Sequence, residues 1–306
     1  MKNYTSVAFY IAAHQDDWQL FMTPNAYGNL HDPATKVVFI YTTAGDAGKD
    51  TTYWAAREKG ALRSVQFALD TALSAPGTAT CGQRTFLGHP VCYVEYKKSM
   101  SYFLRLPDGR MTGKGSLVYG EASLTKLRKN HIPSVTTVDN STTYQSWEDF
   151  CHTLGAIIQA EAEGCGAVWL NTSDFMLSSN FADNADHTAT GLAVKHTVDL
   201  FGGKYPLTLL RDYDIDLLPS NLTTKEVLWK TSLFIAYDVT VQAEICHCTR
   251  CESPFYMNWC LRQYSRQLHH ESGLITYLGY RRAQLFQAFA NLRRALGTRT
   301  EGLRRH

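Results

Sequence analysis

The chain of 306 residues lacks any apolar run near the roughly 20 residues a membrane-spanning helix needs, which excludes an integral membrane protein of the helical kind. It has no internal repeat, low-complexity segment or linker, so neither a solenoid nor a flexible array fits. Met1-Lys2-Asn3-Tyr4-Thr5-Ser6 runs straight into a β-like segment without a signal-peptide core, and a cytoplasmic location is expected. Without secretion, Asn140-Ser141-Thr142 and Asn221-Leu222-Thr223 have no meaning as glycosylation acceptors. A formal net charge of +2 is too small to argue for nucleic acid or a membrane surface as partner. Eight cysteines are present, but in the cluster from Cys246 to Cys260 the paired spacing of a structural zinc site occurs once, at Cys248 and Cys251. Ordinary thiols are therefore expected. Gly45-Asp46-Ala47-Gly48 lacks the glycine order of a dinucleotide-binding turn and follows the second strand rather than the first, which argues against a nicotinamide cofactor.

What the chain does have is an alternation of buried strands and helices. Val7 to Ala12 is an apolar run ending on Ala13-His14-Gln15-Asp16-Asp17-Trp18, and Lys36 to Thr43 ends on the glycine turn at 45–48. Thr52 to Asp70 has helical spacing, with Trp54, Ala61, Leu62, Val65 and Phe67-Ala68 on one apolar side and Arg57, Glu58, Lys59 and Arg63 outward. Tyr144 to Ala162 reads as a helix, Gly166 to Asn171 as a strand, and a helix runs from His187 to about Phe201. Leu207 to Leu210 is a candidate strand, Thr224 to Tyr237 a helix, and 281–305 an Arg-rich surface helix and tail. The expected fold class is α/β, a Rossmann-like doubly wound and mostly parallel sheet in one domain spanning 1–306. Residues 74–143, broken by Gly, Pro and Thr, are expected as an inserted β/loop region at the rim of the site. Residues 206–306 are expected to form a less regular C-terminal extension.

Strand ends carrying His and Asp deserve a chemical reading, because parallel sheets build their sites at the carboxyl edge. His14 and Asp17 are three apart at a strand-to-helix turn, so both side chains can reach one point. His187 opens a helix after another strand, and two imidazoles with one carboxylate make the three-ligand set of a catalytic zinc. Asp16 is then left free to act as a base on water. An ordinary structural reading fits as well: paired aspartates cap helices, and Asp186-His187 can be capping too. Spacing alone leaves both open.

Three motifs carry a resemblance. Ala13-His14-Gln15-Asp16-Asp17 resembles the Ala-His-Pro-Asp-Asp-Glu signature of the PIG-L/LmbE-like zinc-dependent N-acetylglucosaminyl deacetylases. Thr43 to Gly48 is similar to the family's second motif, with the Arg57-Glu58 helix after it. Asp183-Asn184-Ala185-Asp186-His187 resembles its His-x-Asp-His motif. The resemblance implies Zn2+ held by His14, Asp17 and His187, with Asp16 as general base and Asp186 orienting a ligand. Arg57 and Asp46 would contact substrate, and Asn184 would help stabilise the tetrahedral intermediate. It departs from the family at Gln15, in place of Pro, at Trp18, in place of Glu, and at Asn184, in place of His. An Asn amide donates a hydrogen bond to an oxyanion but no proton. Tyr53, Trp54 and Tyr102 are candidates for stacking on a sugar. The implied function is removal of an acetyl group from an N-acetylglucosaminyl-type small molecule or glycoconjugate, with the oligomeric state open. The alternatives are an amidase for a larger acyl or peptide group, and a non-catalytic carbohydrate-binding protein.

Overall fold

The computed structural model describes residues 4–73, 76–181, 183–246 and 256–268. In chain order the first half holds β1 (Ser6–Ala12), α1 (Asp17–Leu20), α2 (Asn25–His31), β2 (Thr35–Thr43), α3 (Thr51–Leu73), β3 (Ala79–Phe86), β4 (His89–Tyr96), β5 (Ser99–Leu106), α4 (Leu124–Arg128), β6 (Val135–Thr136) and β7 (Thr143–Tyr144). The second holds α5 (Trp147–Ala162), β8 (Ala167–Ser173), α6 (Ala185–Leu200), β9 (Leu207–Leu210), α7 (Thr224–Cys246), α8 (Met257–Cys260) and β10 (Ser265–Leu268).

Eight strands make one sheet in the order β10-β9-β8-β1-β2-β5-β4-β3, and β6 pairs with β7 apart from it. Strands β9, β8, β1, β2 and β5 run parallel, while β10 pairs antiparallel with β9 at one edge and β4 pairs antiparallel with both β5 and β3 at the other. The mixed α/β architecture with a mostly parallel sheet is thus the one its apolar runs predict. Strand β1 is buried along its whole length, as a strand with helices on both faces must be. Its pleat divides the core in two. Val7, Phe9 and Ile11 join residues of α5 and α6 on one face, and Ala8, Tyr10 and Ala12 join α3 and α7 on the other. Because β2 lies on one side of β1 and β8 on the other, the turns leaving β1 and β8 face each other at the carboxyl edge. This is the switch point where doubly wound sheets bind ligands.

Several expectations change. The stretch 74–143 is more than a rim: it supplies β3, β4 and β5, and β5 extends the parallel ladder beside β2. Only the loop after β5 reaches the site. Helix α5 starts at Trp147 rather than Tyr144, because Ser146 caps it by accepting from the Asp149 N–H at 3.0 Å. Helix α7 runs on to Cys246, since Phe234, Tyr237 and Val241 continue one buried stripe in the core that α3 shares. That cover also buries Arg57, and Glu58 is buried against Arg105 of β5 at 2.7 Å, whereas Lys59 and Arg63 do face outward and Phe67, expected inward, is exposed. Cys81, Cys92, Cys151, Cys165 and Cys260 are free, as expected of thiols, but Cys246 is disulfide-bonded. The Arg-rich segment 281–305 and Cys248 and Cys251 lie outside the described residues. No helix among the described residues is long and apolar enough to cross a membrane.

Candidate metal centre

The turn after β1 folds back on itself: the His14 backbone N–H donates to Asp17 Oδ2 at 2.7 Å, which aims Asp17 Oδ1 and the His14 ring at the same point. Helix α6 delivers His187 to that point from the neighbouring strand. Nδ1 of His14 lies 3.2 Å from Nε2 of His187, Asp17 Oδ1 lies 3.1 Å from the same Nε2, and His14 Nδ1 is 3.5 Å from Asp17 Oδ1. All three residues are buried. Donors around a four-coordinate zinc at 2.0–2.1 Å stand roughly 3.3 Å apart, so this triangle has the size of one face of such a site.

The chemistry of the donors agrees. His187 Nδ1 is 2.8 Å from Asp183 Oδ1, a contact that places the ring proton on Nδ1 and leaves a lone pair on Nε2. That lone pair faces a carboxylate oxygen and a second imidazole nitrogen. Three acceptors converging in a buried place need extra protons or a cation between them. The residues present therefore fit a metal.

Asp183 escaped the sequence reading, which assigned ligand orientation to Asp186. Asp186 stands beside the other imidazole: its Oδ2 accepts from the Gly109 N–H at 2.8 Å and lies 3.5 Å from His14 Nε2. Burial pushes the Asp186 carboxyl up to about 6. The backbone must come close here. A Cβ at Gly109 would stand 2.5 Å from Asp186 Oδ1, which explains a glycine in the turn after β5. Asp183 lies four residues before His187, the only hint in the sequence. Asp212 and Asn180, which back it, are signalled by no spacing.

Asp16 stays outside the triangle and lines the adjoining cleft of about 260 Å³. Its Oδ1 accepts from Arg57, whose Nε also donates to the Tyr237 hydroxyl at 2.7 Å and whose Nη1 donates to the Gly45 carbonyl at 2.7 Å. Arg57 is thus buried and committed to holding Asp16, rather than free on the surface, although it borders the cleft. Gly45 has φ +55°, and a Cβ there would meet Arg57 Nη1 and Gln15 Oε1 at 2.6 Å each. The family-like glycine and the departure at Gln15 share this crowded turn, with Gln15 Nε2 donating to the Thr43 carbonyl at 2.9 Å. Trp18 is buried against Phe39, a packing role.

Asp46 does not line this cleft. Its two oxygens accept from the Gly48 and Asp108 N–H groups, both at 2.7 Å, so it shapes the loop. Asn184 does line the cleft, and as the cap of α6 its Oδ1 accepts from the Asp186 N–H at 2.9 Å. With the oxygen so committed, the NH2 is the end left to face a ligand. Of the aromatic candidates, Tyr53 borders the cleft, but Trp54 and Tyr102 are buried, and the Tyr102 hydroxyl donates to Glu161 at 2.6 Å. Tyr213 and Trp259, stacked with centroids 5.0 Å apart, line it instead.

Burial works against charge on His14, yet the Asp17 carboxylate beside it overrides this and lifts the imidazole from 6.5 to about 10. His187 is raised in the same way, while the two imidazoles hold Asp17 well below the usual carboxylate range despite its burial. A group with a raised folded pKa adds stability that is complete below its unfolded value and is lost as pH climbs through the folded value. In chelator, the melting temperature is therefore expected to fall between pH 6.5 and about 10 as His14 loses its proton. A metal replaces those protons, so the zinc-loaded protein should show a flatter profile over that window by calorimetry. Parallel profiles with and without zinc would count against the triangle as the metal site.

Fold and donor set together define an α/β protein with a candidate metal centre at the switch point of its sheet. No protein-family model and no curated protein sequence matches the chain. Among solved structures it is similar to a triple mutant of the deacetylase of teicoplanin biosynthesis, at 11% identity over 78% of this chain and 83% of that one, TM-score 0.42. It is also similar to the N,N'-diacetylchitobiose deacetylase of Pyrococcus horikoshii complexed with its inhibitor, at 16% identity over 77% and 70%, TM-score 0.42. The zinc-inhibited form of teicoplanin deacetylase aligns at 10% identity over 80% and 88%, TM-score 0.41. Each of these is a deacetylase.

Proposed function

We propose that the protein is a zinc-dependent N-deacetylase of the PIG-L/LmbE-like kind, hydrolysing the acetamide of an N-acetylglucosaminyl-type substrate to acetate and a free amine. The observation that carries this reading is the buried triangle of His14 Nδ1, Asp17 Oδ1 and His187 Nε2 beside a carboxylate outside it, Asp16, held by Arg57 at the wall of a cleft. These three atoms would hold the ion. Zinc bound there supplies Lewis acidity, which polarises an amide carbonyl and makes water acidic near neutral pH.

The chain's own residues do the rest. Asp16, oriented by Arg57, takes a proton from water as its oxygen adds to the amide carbon. The Asn184 NH2 donates a hydrogen bond to the oxyanion that forms. The C–N bond then breaks, Asp16 passes its proton to the departing nitrogen, and acetate and amine leave. Asn184 cannot share that last task, since a neutral amide is no acid. The stacked pair Tyr213 and Trp259 offers an apolar wall for a sugar face.

A cleft of about 260 Å³ suits one sugar ring and a short acyl group rather than a long chain. The test is amine release, followed by product mass, from N-acetylglucosamine-containing lipids, thiols and natural products, with propionyl and longer acyl analogues beside them. Acetyl substrates are expected to be cleaved and the longer series progressively refused. Preference for long acyl or peptide groups would turn the reading towards an amidase, and no release from any of them towards a binding protein.

A further inference from the structure

Behind His187, on the side away from the cleft, lies a layer of polar side chains that the proposed reaction does not use. Asp183 Oδ1 holds His187 Nδ1 at 2.8 Å, and the side chains of both are fully buried. The other oxygen of Asp183 accepts from Asn180 Nδ2 at 2.9 Å. The same Nδ2 also donates to Asp212 Oδ2 at 3.1 Å and to the Asp174 carbonyl at 2.8 Å, while Asn180 Oδ1 accepts from the Asp212 N–H at 3.0 Å. Asp212 Oδ2 in turn stands 3.9 Å from His187 Nδ1, and Asp212 Oδ1 accepts from the Ser173 hydroxyl at 3.3 Å. Asn180 is therefore a hub that fixes Asp183 to the ends of β8 and β9.

An imidazole turning about its Cβ–Cγ bond can offer either nitrogen to the front. A carboxylate locked behind Nδ1 removes that freedom and sets the tautomer with the lone pair on Nε2. We propose that Asp183, held in place by Asn180 and Asp212, is the positioning residue that keeps His187 Nε2 aimed at the metal. The inference rests on the metal-site reading above and deepens it. Asp183 touches neither substrate nor reacting atoms; it acts through His187.

The test measures zinc affinity by chelator competition, and the visible spectrum of the cobalt-substituted protein, for wild type, Asp183→Asn and Asp183→Ala. The melting temperature of each metal-free protein reports folding. Loss of the outer partner of a ligating His is expected to weaken zinc by about 100-fold in Asp183→Ala, and by about tenfold in Asp183→Asn, which keeps an acceptor oxygen. The cobalt bands should shift in Asp183→Ala and recover towards wild type in Asp183→Asn, a graded rescue that a merely structural role would not give. Affinities of both folded variants within about twofold of wild type would overturn the proposal, and if Asp183→Ala does not fold, Asp183→Asn decides alone by the same limit. Wild-type protein that binds no zinc would overturn the metal reading and this proposal together. Zinc bound by wild type and undiminished in the variants would overturn this one only.

Discussion

Asp16→Asn is expected to keep its zinc and to lose turnover by about 100- to 10,000-fold, the usual contribution of a placed general base. The reasoning is geometric. Asp16 contributes no atom to the donor triangle, so its replacement leaves His14, Asp17 and His187 as they are. The Asn side chain has the same shape and still accepts from Arg57, so the cleft wall is preserved. What it cannot do is take a proton from water and return it to the amine nitrogen. Asn184, which lines the same cleft, is a neutral amide and no acid, so it does not take over that task. Amine release on an N-acetylglucosaminyl substrate, with metal content measured on the same sample, checks both halves of the expectation. Hydrolysis at the wild-type rate would remove Asp16 as the base.

The second large effect is expected from His187→Ala, and it is a loss of metal and stability together. The substitution removes one of three donors, so zinc content should fall close to zero and turnover with it. It also strips a fully buried cluster of its cationic partner. Asp17 and Asp183 both contact the ring, and Asp212 stands behind it. Removing one member of a buried ionic set costs about 3–5 kcal/mol, because the charges left behind have neither water nor partner. A metal-free melt should therefore fall well below that of metal-free wild type. An unchanged melt with full zinc occupancy would mean that the triangle is not the metal site.

The parts of this structure that could be read in advance share a cause. Strands β1, β2 and β8 announce themselves because a parallel strand covered on both faces must be apolar throughout; His14 and Asp17 stand just beyond β1, and His187 lies in the first turn of the helix that follows β8. The outer layer could not be read, because it is assembled by folding alone. Asn180 meets Asp212 across 32 residues, and neither position differs in type from any polar loop residue. Arg57 misleads for the same reason: the period of α3 puts it outside, and only Tyr237, 180 residues on, arrives to bury it. Strand β3 carries Thr, Cys, Gly, Gln and Arg on a largely exposed edge, so no hydrophobic alternation marks it. Tyr102, a stacking candidate by residue type, lies on β5 inside the sheet, and its buried hydroxyl donates to Glu161.

The account stands most directly on one measurement, acetate release from an N-acetylglucosaminyl substrate by protein whose zinc content is determined in the same preparation. About one zinc per chain is expected, with activity lost on chelation and restored by adding zinc back. Undiminished release by the chelated, zinc-free protein would contradict it.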